Sequence, residues 1–144
     1  MNDPNADIEA RIRTTRILWI ALLLSIGNFF VLTILQKPSE DVSPNPTLSL
    51  ILLGIGISTT LISFLIRNIL LTRAFNQQQP PLVQQAYVAG WAVNEVAALL
   101  GVADHFATGH RHYYILLVIS ALGLLLQFPR REHVLNAAFK GSEF

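Results

Sequence analysis

The sequence has 144 residues, of which 52% are hydrophobic and 13% are charged, and its mean hydropathy is +0.48. Soluble domains carry about 25% charged residues, so this composition indicates a single domain embedded in a lipid bilayer. The net charge of +1 gives no attraction to polyanions such as nucleic acids. The absence of cysteine excludes disulfides, Cys-ligated zinc and thiol nucleophiles.

Four apolar runs follow one another along the chain, and together they predict an all-α, antiparallel bundle of four transmembrane helices. A spanning helix needs about 20 mostly apolar residues. The fourth run is short, and a re-entrant or buried core helix is the alternative for it. The predicted transmembrane domain, residues 17–128, contains helices over residues 17–36, 48–72, 82–106 and 112–128.

The segments outside the runs are polar. Residues 1–16 form the N-terminal segment, in which we expect a short helix that starts at Asp7 and continues into the first run. Residues 129–140 are a basic tail that we expect to lie on the membrane surface. The last four residues, 141–144, read "GSEF", which we interpret as a remnant of cloning.

The distribution of lysine and arginine predicts the orientation. Eight of these residues precede the first run, flank the loop between the second and third runs, or follow the fourth. The opposite side has two, Lys37 and Arg111. Because cytoplasmic loops carry an excess of positive charge, we expect a multi-pass protein of the cytoplasmic (inner) membrane with both termini in the cytoplasm.

A layer of polar residues is predicted to cross the middle of the bundle. A helix rises 1.5 Å per residue, which places both Asn28 of the first run and Glu95 of the third about 16 Å deep. Other polar side chains are expected near that depth, with Ser120 slightly shallower. These supporting residues are Asn94, Thr59, Thr60 and Ser63.

Glu95 is the candidate functional residue of this layer. An ionised carboxylate at the bilayer centre costs at least ~2.5 kcal/mol, so we expect the side chain to be protonated much of the time. Asn28, Asn94 and the hydroxyls of the second run are the expected hydrogen-bond partners. The alternative is an acid that only holds two helices together.

Small residues form a narrow face on each of the two middle runs. Such faces let helix backbones approach closely, so we expect the second and third runs to pack on each other and the protein to self-associate. The predicted packing residues are Gly54, Gly56, Gly90, Ala97, Ala98 and Gly101.

The hairpin of residues 54–105 resembles the proteolipid, subunit c, of rotary ATP synthases. The matching stretches are "LGIGIS", "QQQPPL" and "AVNEVAALLG". In that family a mid-membrane acid of the second helix carries the proton or sodium ion, so the resemblance implies a proton-binding role for Glu95 and a cytoplasmic loop. Gln78 stands where the family has arginine, and runs one and four have no counterpart in a two-helix proteolipid.

Imidazole and carboxylate side chains cluster near the external end of runs three and four, which makes a metal-dependent membrane enzyme a further alternative. These candidate ligands are Asp104, His105, His110 and His112. No nucleotide-binding loop, serine-hydrolase elbow or zinc-protease motif occurs in the sequence. The sequence therefore gives little basis for an enzyme, and no cofactor is expected.

The hypothesis that follows is a non-enzymatic membrane protein that oligomerises through its small-residue faces and uses Glu95 for proton binding or translocation. Its expected partners are the bilayer, copies of itself or other membrane subunits. The second hypothesis is a structural or accessory subunit of a membrane complex in which Glu95 is only an interhelical hydrogen-bonding group.

Overall fold

A computed structural model describes residues 4–38, 44–109 and 111–138 of the chain. The fold is all-α, with 90% of the described residues in helices and no strand among them. The helices are α1 (Pro4–Leu35), α2 (Pro46–Gln77), α3 (Pro80–Thr108), a 3₁₀ turn (Arg111–Tyr113), α4 (Tyr114–Leu126) and α5 (Arg131–Ala138).

The boundaries of α2 follow from local capping. The Asn45 side chain accepts a hydrogen bond from the Leu48 N–H at 3.0 Å, and Pro46 occupies the first turn, where its missing N–H costs nothing. At the other end Gln78 adopts a left-handed conformation with φ 52°, which reverses the chain into α3 at Pro80. The helix therefore continues five residues beyond the apolar stretch that was predicted to end at residue 72, because polar residues outside the bilayer remain helical until the prolines.

α1 begins at Pro4, so most of the polar N-terminal segment belongs to the same continuous helix. At 1.5 Å per residue, its 32 residues reach about 48 Å, which exceeds the roughly 30 Å of a bilayer's hydrocarbon core. The first turns of α1 pack against the rest of the chain, because Ile8 and Ile12 are buried in one cluster with Val134 and Ala137 of α5.

α5 is a second departure from the sequence expectation. The tail was expected on the membrane surface, but α5 packs against the ends of α1, α2 and α3. Arg131 lies 4.0 Å from Glu9 of α1, and the Tyr87 hydroxyl of α3 lies 2.6 Å from His133 Nδ1. The start of α1, the α2–α3 turn and α5 thus meet at one end of the bundle.

α3 is the central helix. In its most apolar stretch 44% of the residues are buried inside the chain, against 22% for α2 and 11% for α1. Within the described part of the chain, α3 packs on every other helix, whereas α1 and α2 pack on α3 and α4 but not on each other. The outer faces of α1 and α2 carry exposed isoleucine and leucine side chains, which suits contact with lipid.

Three helices, α1, α2 and α3, are long and apolar enough to cross a membrane. α4 has 13 residues and spans about 20 Å, which is too short to cross alone. α4 and α5 satisfy the same criteria together as one broken span bent by 47°. The helices are therefore those of a membrane-embedded protein with three or four crossings.

The small residues of α2 and α3 are mostly buried inside the chain. Gly56 and Gly101 lie against Leu116 of α4, and Ala97 and Ala98 are fully buried. Gly54 differs, because it is exposed and no atom would lie within 4 Å of an added Cβ. These residues bring helices of one chain together, which leaves little of the predicted face for self-association.

Gly90→Ala should destabilise the bundle. An added Cβ would lie 2.8 Å from Gln127 Oε1, 3.0 Å from Arg67 Cβ and 3.2 Å from the Ser63 carbonyl oxygen, so the Gln127 side chain would have to shift and α2 would have to move back by a few tenths of an ångström. Overpacking of this kind costs about 1–3 kcal/mol, which should lower the thermal unfolding midpoint measured in detergent micelles.

Gly54→Ala is the matched control, since it makes the same substitution in open space and should leave the midpoint unchanged or raise it. Equal midpoints for the two variants would contradict the close approach at Gly90.

Candidate functional site

Glu95 lies on the side of α3 that faces α1 and is partly buried. The Ser25 hydroxyl of α1 donates a hydrogen bond to Glu95 Oε1 at 2.8 Å. Both residues lie within segments apolar enough to cross a membrane. The acid is therefore held between two spanning helices by a neutral hydroxyl.

Asn28 is not part of this site, which corrects the sequence expectation. It is exposed on α1, whereas the nearby Ile26 is buried. A helix turns 100° per residue, so Asn28 points about 160° away from Ile26, while Ser25 is one residue from it and lies beside the inward face. Asn28 therefore has the depth that the rise per residue predicts, but its side chain lies on the outward face of α1.

The inward face of α1 is defined by the spacing of its buried side chains. Buried and half-buried side chains recur at alternating spacings of four and three residues, which is the pattern of an inward helix face. They are Ile8, Ile12, Thr15, Trp19, Leu22, Ile26, Phe29 and Thr33. Ser25 was not predicted, because depth along a helix does not indicate which face a residue occupies.

Asn94 and Ser120 form a reciprocal pair between α3 and α4. The side-chain amide nitrogen of Asn94, Nδ2, donates to the backbone carbonyl oxygen of Ser120 at 2.7 Å. In return, the Ser120 hydroxyl donates to the backbone carbonyl oxygen of Asn94 at 3.0 Å. Both side chains are fully buried. Asn94 therefore supports the α3–α4 contact, while its neighbour Glu95 contacts α1.

A second polar connection lies nearer the α2–α3 turn and centres on Gln127, which was not singled out in the sequence. Its Nε2 donates to the Ser63 hydroxyl of α2 at 2.8 Å, and its carbonyl oxygen accepts from Trp91 Nε1 of α3 at 3.2 Å. Gln127 is fully buried. A lone amide that ends an apolar run two residues before Pro129 was the available signal.

The polar residues of α2 behave differently from one another. Thr59 is half-buried and bonds to the carbonyl oxygen of Gly56 in its own helix at 2.9 Å. Thr60 is buried, and its Oγ1 is one of three buried side-chain atoms without a hydrogen-bond partner in the described part of the chain, with Asn94 Oδ1 and Gln127 Oε1.

Two of these side chains pack against Gly123 of α4. A Cβ added there would meet Asn94 Oδ1 and would lie 3.0 Å from the Thr60 methyl group. The layer thus joins α2, α3 and α4 through short polar side chains around a glycine.

At the other end of α3, Asp104 is almost completely buried. It accepts hydrogen bonds from the Ser49 hydroxyl of α2 at 2.9 Å and from the Thr108 hydroxyl at 2.8 Å. The neighbouring His105 lies 2.8 Å from the Gln36 carbonyl oxygen through Nε2. Because a carbonyl oxygen can only accept, Nε2 must carry the hydrogen. These contacts tie the α1 and α2 ends to α3.

Within the described part of the chain, three of the proposed metal ligands, Asp104, His105 and His112, do not form a metal-binding group. Among the described residues no group of three or more His, Asp and Glu side chains could hold a metal ion. Asp104 and His105 bond to different helices, His112 is exposed, and His110 lies outside the described residues. The geometry gives no support to metal-dependent catalysis.

Comparisons with protein-family models, with curated proteins and with solved structures find no significant match for this chain. The resemblance to the proteolipid hairpin therefore rests on the quoted residues alone. The structure adds a difference, because Glu95 bonds to α1, a helix outside the resembling hairpin.

Ser120→Ala should lower the free energy of unfolding by about 1 kcal/mol, because it removes a buried hydrogen bond between α3 and α4. Unfolding by SDS in mixed micelles would measure the change.

Ser58→Ala makes the same substitution at an exposed hydroxyl that bonds to the Gly54 carbonyl oxygen of its own helix. The free energy should change by less than about 0.5 kcal/mol. A loss as large as that of Ser120→Ala would show that the α3–α4 pair adds nothing specific.

Proposed function

We propose that the chain is a non-enzymatic integral membrane protein in which Glu95 binds a proton reversibly between α1 and α3. The observation that supports the proposal is the hydrogen bond from the Ser25 hydroxyl to the Glu95 carboxyl group. Each of these two residues lies in a helix that is long and apolar enough to cross a membrane. Ionisable side chains inside a membrane are costly and are candidates for proton pathways by default.

The contact accommodates both protonation states. Ser25 donates to Oε1 whether the acid is charged or neutral, and a protonated Glu95 gains a donor of its own. Within the described residues no lysine, arginine or histidine forms an ion pair with Glu95. The contact that the described residues supply to the carboxyl group is therefore the neutral hydroxyl of Ser25.

The alternative is a structural or accessory subunit of a membrane complex. The same Ser25–Glu95 bond favours it, because a hydrogen bond between two spanning helices is also what a purely structural acid would form. We do not assign self-association to the small-residue faces, since Gly56, Gly90 and Gly101 are buried within the chain.

We also propose residence in the cytoplasmic (inner) membrane with both termini in the cytoplasm. The end of the bundle that joins the start of α1, the α2–α3 turn and α5 carries most of the arginines. The excess of positive charge at cytoplasmic ends supports this orientation.

A hydrophobic carbodiimide should modify Glu95 in membranes, because the reagent partitions into lipid and reacts with protonated carboxyl groups. Mass spectrometry of peptides should find the adduct at Glu95 in the wild type, and the adduct should decrease as the pH rises. Glu95→Gln should abolish it, whereas Glu132→Gln, which alters an exposed acid of α5, should not.

Reconstitution into liposomes then separates the two functions. Under an imposed pH gradient, a proton-carrying Glu95 predicts dye-detected proton movement that Glu95→Gln removes and Glu132→Gln preserves. Equal proton movement in the wild type and in Glu95→Gln would exclude the proton-carrying role. The accessory role predicts no movement in either, with an intact fold in both.

A further inference from the structure

A polar cleft of about 300 Å³ lies at the end of the bundle that carries α5. It is separate from Glu95 and is built from α2, α3, the end of α4, the α4–α5 connection and α5. The cleft is lined by Arg67, Asn68, Leu71, Thr72, Phe75, Tyr87, Leu126, Phe128, Arg130 and His133.

Three basic residues gather around Tyr87 in this cleft. The Arg67 guanidinium carbon lies 6.0 Å from the centre of the Tyr87 ring, and the His133 ring stacks on that ring at 5.8 Å and 23°. The Tyr87 hydroxyl accepts from the Arg130 backbone N–H at 3.1 Å and lies 2.6 Å from His133 Nδ1. Tyr87 is 1% exposed, so these contacts hold α2, α5 and the α4–α5 connection around a buried side chain of α3.

These basic groups have no carboxylate among them. No aspartate or glutamate occurs among the described residues that line the cleft. Arg67 donates instead to a neutral amide oxygen, Asn68 Oδ1, from Nε at 3.4 Å and from Nη2 at 3.1 Å. The cleft thus concentrates positive charge without a carboxylate among its described lining residues.

His133 lies in α5, outside the three helices that are long and apolar enough to cross a membrane alone. Burial is the main cause that lowers the pKa of His133, repulsion from the charges of Arg67 and Arg130 lowers it further, and Glu132 acts in the opposite direction. An anion in the cleft would relieve this repulsion, since it would face all three basic groups at once.

We propose that the cleft binds a negatively charged phosphate group, as carried by an anionic phospholipid or by free phosphate. The guanidinium fork matches phosphate oxygens and forms charge-assisted hydrogen bonds with them. Arg67 and Arg130 reach the cleft from two separate elements, so they can hold one phosphate from two sides.

The surroundings favour the lipid as the source of the phosphate. Apolar lining residues continue onto the outer surface of the bundle, where Leu126 is 72% exposed and Phe128 is 43% exposed. Arg67 lies ten residues before the end of α2, close to the level at which basic side chains reach lipid headgroups. A phosphate in the cleft could therefore remain attached to acyl chains that lie against the bundle.

The test measures thermal unfolding of the purified protein in zwitterionic micelles with two probes. One arm adds phosphatidylglycerol, with phosphatidylcholine as its control, and the other adds inorganic phosphate, with chloride at equal ionic strength. A ligand of the folded state raises the unfolding midpoint in a concentration-dependent way. Arg67→Gln and Arg130→Gln should each weaken the apparent affinity roughly 10- to 100-fold.

Arg73→Gln is the matched control, because it removes the same charge from the same end of α2 outside the cleft and should retain wild-type affinity. A response to phosphatidylglycerol alone identifies a lipid headgroup, and an equal response to inorganic phosphate identifies the free ion. No response to either probe, or an equal loss in Arg73→Gln, overturns the proposal. If Arg67→Gln does not fold, Arg130→Gln decides, because that side chain is exposed.

The pH dependence supplies a second readout in the phosphatidylglycerol arm, where the phosphodiester does not titrate near neutral pH. The charged and titratable groups near His133 are Arg67, Arg130, Tyr87 and Glu132. Since protonated His133 binds the anion better, affinity should rise as the pH falls through its lowered pKa. His133→Gln should flatten that rise, and an unchanged rise would remove His133 from the site.

Discussion

A bilayer offers no water to a polar side chain, so polar groups at mid-depth must find their partners on neighbouring helices. This constraint organises the bundle around α3. Asn94 bonds to α4 through Ser120, and the adjacent Glu95 bonds to α1 through Ser25. Two consecutive residues point about 100° apart on a helix, so one short stretch of α3 can tie two different neighbours.

The position of α1 shows why these contacts matter. Little of its apolar stretch is buried, and most of its side chains face outward. Three polar contacts fix it at separate levels. Trp19 Nε1 donates to the Leu124 carbonyl oxygen at 2.8 Å, Ser25 donates to Glu95, and the Gln36 carbonyl oxygen accepts from His105. The mid-depth contact is the one that involves a carboxylic acid, so the proposed proton-binding group lies directly at the α1–α3 contact.

Composition and apolar run length were sufficient to predict a helical membrane protein, because hydrophobic length is a property of the sequence alone. Side-chain direction was harder. Asn28 matched Glu95 in depth but faces outward, and Ser25 is the actual partner. Gln127 was not singled out in the sequence, although it is buried and bonds to Ser63. These errors share a cause, since rise per residue gives depth, whereas direction depends on which face each helix buries.

The tail illustrates a different limit. Its weak amphipathic pattern predicted a helix on the membrane surface, because Val134 and Ala137 fit lipid as well as they fit protein. In the structure they belong to one buried cluster with Ile8 and Ile12 of α1, a contact that no sequence pattern indicates. That packing also brings His133 beside Tyr87, 46 residues earlier in the chain, and forms the basic cleft. The cleft therefore depends on contacts between elements that are distant in sequence.

The most direct test of this account is a double-mutant cycle on Ser25 and Glu95, with the free energy of unfolding measured in mixed micelles for Ser25→Ala, Glu95→Ala and the double variant. A hydrogen bond between spanning helices predicts that the two substitutions are not additive, with a coupling of about 0.6 kcal/mol and at most about 1.7 kcal/mol. Additive effects would mean that the two side chains do not interact, and the placement of Glu95 between α1 and α3 would be wrong.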